Sequence, residues 1–268
     1  MRNREAYRAY NLLPAACFRE GDGQKKMAMI SGFRKVAASL ILLGISFGYV
    51  EAAIVVYLRT IYNPVRARLH PEVPEADLFP LITPQQLAAQ SPEVQRLLPI
   101  ELVREAATLV MLMAAGLAVA NNGRQWVGAF AVAMGTWDIF FYLFLKVLIG
   151  WPASWLTWDI LFLIPAPWVS PVLAPVLVAL SMVGGGLALL WVESEGAVFH
   201  TTGKHWIGLV AGALIILISF LWDTPRLVAG GTPRSFPWIV FAVGEAIGIG
   251  TFAHAYRKSL AGRIRGPE

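Results

Sequence analysis

Cysteine is nearly missing from this chain: 268 residues include one, Cys17. No intrachain disulfide can form, and thiols say nothing about the redox compartment. Histidine is scarce, at four. No H-E-x-x-H pair, P-loop, G-x-S-x-G elbow or dinucleotide fingerprint occurs, which removes the enzyme classes that such motifs mark. Charge is the third shortage. Asp, Glu, Lys and Arg supply 15% of residues against 57% hydrophobic, more apolar surface than a soluble domain of this length can bury. The net charge of +5 does not indicate nucleic acid, because the cations sit at the ends of apolar runs and form no basic stripe interleaved with aromatics. Low-complexity tracts and repeats of 20 to 50 residues are also lacking. "TWD" recurs at Thr136 and Thr157, but "GWP" at 150 to 152 separates the copies, and they are not read as a duplication.

What the chain has in quantity is long apolar runs. Six lie at about 36–58, 100–121, 126–149, 168–192, 205–223 and 237–256, each near the ~20 residues that cross ~30 Å of hydrocarbon as a helix. Backbone amides in lipid must be bonded within their own segment, and the runs lack the alternation of a membrane barrel. The predicted fold is therefore all-α, a polytopic bundle of about six transmembrane helices. The expected location is a cell membrane, bacterial and cytoplasmic by its general look.

Lys and Arg set the expected orientation. The N-terminal tail carries Arg2, Arg4, Arg8, Arg19, Lys25, Lys26, Arg34 and Lys35; the short loops on that side add Arg124 and Lys204, and the C-terminal tail adds Arg257, Lys258, Arg263 and Arg265. The other side has only Arg59, Arg66, Arg68, Arg96, Arg226 and Arg234. Both termini are expected in the cytoplasm. The remaining two cations, Arg104 and Lys146, fall in or at the edge of spans.

The expected organisation is a basic tail over 1–35, a transmembrane domain over 36–256 and a basic tail over 257–268. Residues 1–26 are polar and show no apolar helical face, so Met27 is a candidate start; an N-terminal peptide from 1–26 in the native protein would rule it out. The run after Lys35 is too long and unbroken for a cleaved signal peptide and is read as a retained anchor. Residues 59–99 form the largest predicted soluble segment, a lid or a docking patch for a partner in a membrane complex. Prolines 64, 71, 74, 80 and 84 are expected to forbid a long helix there. A short one is predicted on "TPQQLAAQ", with Thr83 as N-cap, Pro84 first and Gln86 third. Residues 150–167, followed by Trp168 and carrying Trp151, Trp155 and Trp158, are read as an aromatic belt or a re-entrant or interfacial helix from near Ser154 that directs Asp159 to the outer mouth.

The acids within these runs carry the functional argument, because an acidic residue at the centre of a span costs roughly 2.5–3.5 kcal/mol and normally faces a bundle interior or cavity. Glu51, Glu105, Asp138 and Glu245 fall inside spans; Glu101, Asp159 and Asp223 lie near outer boundaries. Gly44, Gly48, Glu51 and Val55 share one helical face, as do Gly128, Ala131, Gly135, Asp138 and Tyr142, and more weakly Ala242, Glu245 and Gly248. Four spans are thus expected to aim acids at one another in the outer half, with Arg59, Arg104 and Lys146 in the same layer and Glu101 one turn from Arg104. Crowded carboxylates repel, so Glu105 or Asp138 is expected to hold a proton near neutral pH. The predicted binding set is Glu51, Glu105, Asp138, Glu245, Arg104, Tyr142 and Asp159. The plain alternative is structural ion pairing.

Three functions fit this pattern. The first is binding or transport of a cation, a proton or a small polar ligand. The second is a membrane-embedded enzyme acting on a lipid or isoprenoid by acid–base chemistry, and the third a non-catalytic subunit of a larger membrane complex. No catalytic residue or metal ligand stands out and no cofactor is named. A haem between His205 and His254 is conceivable, although the spacing suggests that no histidine pair shares a depth in two spans.

Overall fold

The six apolar runs bond their backbones internally, as lipid requires, and all six fold as helices. The computed structural model describes residues 15 to 265 apart from residue 75, with side chains described over 31–74 and 76–261. In chain order the elements are α1 (Ala15–Leu69), α2 (Pro84–Gln90), α3 (Pro92–Gln95), α4 (Leu97–Val119), α5 (Gly123–Ile149), β1 (Trp158–Phe162), β2 (Trp168–Pro171), α6 (Leu173–Ser194), α7 (Gly203–Leu221), α8 (Thr224–Val228) and α9 (Trp238–Arg265). The segments long and apolar enough to span are Ser31–Leu69, Pro92–Val119, Gly123–Ile149, Leu173–Ser194, Gly203–Val228 and Trp238–Ala261. The protein is a multi-pass helical membrane bundle.

α5 is the central rod: it packs along α1 on one side and α6 on the other, with α4 against it as well. α7 and α9 form a second pair, joined to the first group through α6. Small residues set these distances. A β-carbon on Gly135 of α5 would fall 2.5 Å from the Ala179 carbonyl oxygen of α6, and one on Gly186 of α6 would fall 2.6 Å from the Gly128 oxygen. Gly44 and Gly48 likewise bring α1 close to α5, where β-carbons would fall 2.6 Å from Thr136 Cβ and 2.9 Å from the Trp137 oxygen. In lipid, where burial from water cannot drive helices together, such close approach supplies the van der Waals contact that does.

Three expectations about segment boundaries need correction. α1 is 55 residues long, about 80 Å at ~1.5 Å per residue, and extends both into the predicted tail and past residue 58. Pro64 lies inside it. The proline removes one backbone bond, yet Val65 beside it is buried, and its packing carries the helix through. At the other end, α9 continues into the predicted C-terminal tail as far as Arg265. Residues 1–14 and the side chain of Cys17 lie outside the described set, as does any structural bearing on a start at Met27.

The predicted short helix forms as expected. Thr83 caps α2, its Oγ1 accepting from the Gln86 amide at 3.3 Å while the Gln86 side chain accepts from the Thr83 amide at 2.8 Å.

The segment over 150–172 is not a helix. β1 and β2 form an antiparallel hairpin in which Trp158 faces Pro171, Asp159 faces Ser170, Ile160 faces Val169 and Phe162 faces Trp168, with a register irregularity between Ile160 and Phe162. β-branched and aromatic residues on both arms favour strand, and four prolines around them, at 152, 165, 167 and 171, deny a helix its amide donors. The hairpin is anchored by Leu173 N–H to the Trp155 carbonyl at 2.8 Å, Val172 N–H to the Thr157 carbonyl at 2.9 Å, and Thr224 Oγ1 to the Pro167 carbonyl at 2.6 Å. Trp158 packs edge-on to Phe236, also at this end of the bundle.

Candidate functional site

The hairpin brings a carboxylate into the bundle that apolar periodicity alone does not place there. Its ladder fixes Asp159 opposite Ser170, and the side chain turns inward, 5% exposed, to accept a hydrogen bond from Tyr142 Oη of α5 at 2.9 Å. This corrects the expectation that Asp159 points to the outer mouth. One turn before Tyr142 on the same face of α5 stands Asp138, half-buried, and it acts electrostatically on both Tyr142 and Asp159. No hydrogen bond to the Asp138 carboxyl occurs among the described residues. Arg59 of α1 is the cation that acts on Asp159, and its guanidinium lies 4.2 Å above the ring centre of buried Trp151. Burial raises the Asp159 carboxyl from its ordinary value of 3.8 to about 6, while the Tyr142 hydrogen bond and Arg59 pull the other way.

A second group lies between α1 and α4. Arg104 donates from Nη1 to Glu51 Oε2 at 2.6 Å and from Nε to Glu101 Oε2 at 2.9 Å, with Nη2 on the other Glu101 oxygen. The Nε and Nη2 pair form the planar fork that matches a carboxylate. The inward aim of Glu51 and the one-turn pairing of Glu101 with Arg104 thus follow the sequence expectation. Glu105 is buried in the same neighbourhood, within electrostatic reach of Glu51, Glu101 and Arg104, and Glu105 Oε2 accepts the Leu163 backbone N–H at 2.9 Å. Leu163 directly follows β1, so the hairpin touches both acid groups: Asp159 near one end meets α5, and Leu163 at the other meets α4.

The expected gathering of four acids divides here. Glu51 and Glu105 share the Arg104 group, Asp138 joins Asp159 and Tyr142, and Glu245 stands apart, bonded on α9 to Ser181 of α6 at 3.0 Å. The cause is helix pairing: α9 packs on α7 and touches α6, whereas the other acids lie where α1, α4 and α5 meet. Lys146 pairs with none of them. Its Nζ donates to the Gly150 and Pro152 carbonyls at 3.0 and 2.8 Å. A surface crevice between Trp158, Ser219, Trp222, Asp223 and Phe236, too tight to enclose a water molecule, is lined by none of the predicted binding residues.

His205 and His254 do meet, their ring centres 5.3 Å apart, which corrects the expectation that no pair shares a depth. The Nδ1 of His205 accepts the Thr202 amide at 3.1 Å, so that ring serves as part of the α7 cap. No cluster of three or more His, Cys, Asp or Glu suited to a metal ion occurs among the described residues.

Several participants escaped sequence reasoning. At the opposite end of the bundle Glu193 takes Arg124 Nε at 2.7 Å, Asn122 Nδ2 at 3.0 Å and the Phe199 amide at 2.9 Å, an anchor legible only as an acid at the end of an apolar run. Arg66 is expected to be an outer-loop charge, yet it is buried on the same helix as Arg59, which is expected in the acid layer and does act on Asp159. Their spacing of seven on a continued helix was the available signal, obscured by Pro64. The chain matches no family model, and no curated protein or solved structure is significantly similar to it.

Proposed function

We propose that this membrane protein holds exchangeable protons on carboxyl groups at the hairpin end of the bundle and uses them to bind or move a proton or a small polar ligand. The supporting observation is the Asp138–Tyr142–Asp159 arrangement: two acids within electrostatic reach of each other, one phenol and one acting arginine. Two carboxylates cannot both ionise cheaply there, so the pair is suited to keeping or exchanging a proton. The Arg104 group repeats the surplus, with Glu51, Glu101 and Glu105 around one guanidinium.

Infrared difference spectra of the purified full chain test the reading. A protonated-carboxyl band should grow as pH falls through about 6 and shrink in Asp159→Asn and Asp138→Asn. A band unchanged by both substitutions would remove it. Proton flux in proteoliposomes above that of protein-free vesicles, cut by Asp138→Asn, supports transport; flux equal to that of protein-free vesicles limits the site to binding.

A further inference from the structure

The far end of α1 and the residue after it present a row of basic side chains with buried nitrogens. Arg66 is 8% exposed, and its Nε and Nη2 are fully buried with no hydrogen-bond partner among the described residues. Arg59, seven residues earlier on the same helical face, has its Nε in the same condition, as does the Nε1 of Trp151 beneath it. His70, one turn beyond Arg66, adds a buried Nε2 without a partner. Arg59 and Arg66 lie within electrostatic reach of each other. Among the described residues the nearby acids do not fill these positions: Asp159 acts on Arg59 and Asp77 on Arg66 without hydrogen bonds to the atoms named, and Glu72 is 3.8 Å from the other nitrogen of His70.

Arg104 supplies the internal comparison. Its Nε and Nη2 edge is closed by both oxygens of Glu101, whereas the same edge of Arg66, more deeply buried, meets no acceptor among the described residues. A buried charged donor without an acceptor is among the costliest groups a fold can carry. Trp137 and Trp168 also bury an indole N–H without a partner, but those are isolated neutral groups. Here two guanidinium groups and an imidazole follow one helix end, with the Trp151 indole against Arg59.

We propose that Arg66 and Arg59, with His70 and Trp151 beside them, form a binding site for a phosphate-class oxyanion. The fork of Arg66 takes two oxygens of one phosphoryl group, and the remaining oxygens and the charge of −1 to −2 answer the other donors. A carboxylate, with two oxygens and a single charge, would fill the Arg66 fork and leave the Arg59 Nε without an acceptor. The phosphoryl group can belong to a lipid headgroup or to a soluble ion. The assignment does not rest on the proton reading, since Arg66 is no member of the Asp138–Asp159 group.

The test uses the full chain in a non-ionic, phosphate-free detergent. Thermal unfolding is followed with inorganic phosphate, with phosphatidylglycerol in mixed micelles, and with chloride at matched ionic strength. Stabilisation by phosphate beyond chloride identifies a soluble oxyanion; stabilisation by phosphatidylglycerol alone identifies a lipid phosphate. In either case Arg66→Lys, which keeps the charge and loses the fork, should weaken the effect about tenfold or more. No stabilisation beyond chloride by either probe, or equal stabilisation in Arg66→Lys, overturns the site. If that variant fails to fold, Arg59→Lys takes its place: it removes the second guanidinium of the site, and stabilisation by the effective probe equal to that of the wild-type chain overturns the proposal.

Discussion

Tyr142 and Asp159 stand 17 positions apart, on an apolar helix and on a β-strand, and meet through a buried 2.9 Å hydrogen bond. It joins the central rod of the bundle to the hairpin at its end. Removing the donor with Tyr142→Phe should cost about 1–3 kcal/mol in thermal unfolding, since the Asp159 oxygen would then be buried without it. The Asp159 carboxyl should rise further, moving its infrared transition above about 6. A transition that stays in place would show that the phenol does not stabilise the carboxylate.

Asp159 also gives the fold a pH dependence of definite sign. Its carboxyl is raised from 3.8 to about 6 in the folded chain, so folding favours the protonated form. The associated stability is fully present below about pH 4 and lost as pH rises through about 6, a change on the order of 3 kcal/mol. Asp159→Asn should flatten that part of the unfolding profile. Equal slopes between pH 4 and 7 in variant and wild type would refute the assignment.

Arg104 is the common partner of Glu51 and Glu101. Arg104→Gln leaves two acids without their cation and should destabilise by about 3–5 kcal/mol, read as a lower unfolding temperature. The double variant Arg104→Gln with Glu51→Gln should recover part of the loss. Strict additivity of the two losses would mean that the pair is not coupled.

The α5–α6 contact sets a steric limit. Gly135→Leu places side-chain atoms where the Ala179 carbonyl already lies 2.5 Å from an ideal β-carbon, and the helices must separate. A loss of folded yield is expected, whereas Gly184→Ala, which meets nothing within 4 Å, should be neutral. Equal yields for Gly135→Leu and Gly184→Ala would remove the close approach as a determinant.

Sequence patterning was most reliable where one physical force acts alone. The six spans follow from the cost of unbonded amides in lipid, the α2 cap from a threonine, a proline and a glutamine at fixed spacing, and the inward aim of Glu51 from its place on a glycine face packed against α5. It failed where two influences compete. Proline chemistry argues against helix at Pro64, but burial of Val65 prevails. Around 158–171 a short apolar run fits a helix or a strand equally well by length, and the choice fell to pairing between two arms.

By itself the sequence determined that this chain crosses a membrane as a six-helix bundle and that several acids are turned away from lipid, because transfer into hydrocarbon is a property of each residue and its helical neighbours. Which acids share a site was decided only by tertiary structure. The pairing of α9 with α7 leaves Glu245 on Ser181, and the hairpin delivers Asp159 to Tyr142. Electrostatic partnership depends on distances between segments far apart in the chain, and local periodicity contains no information about them.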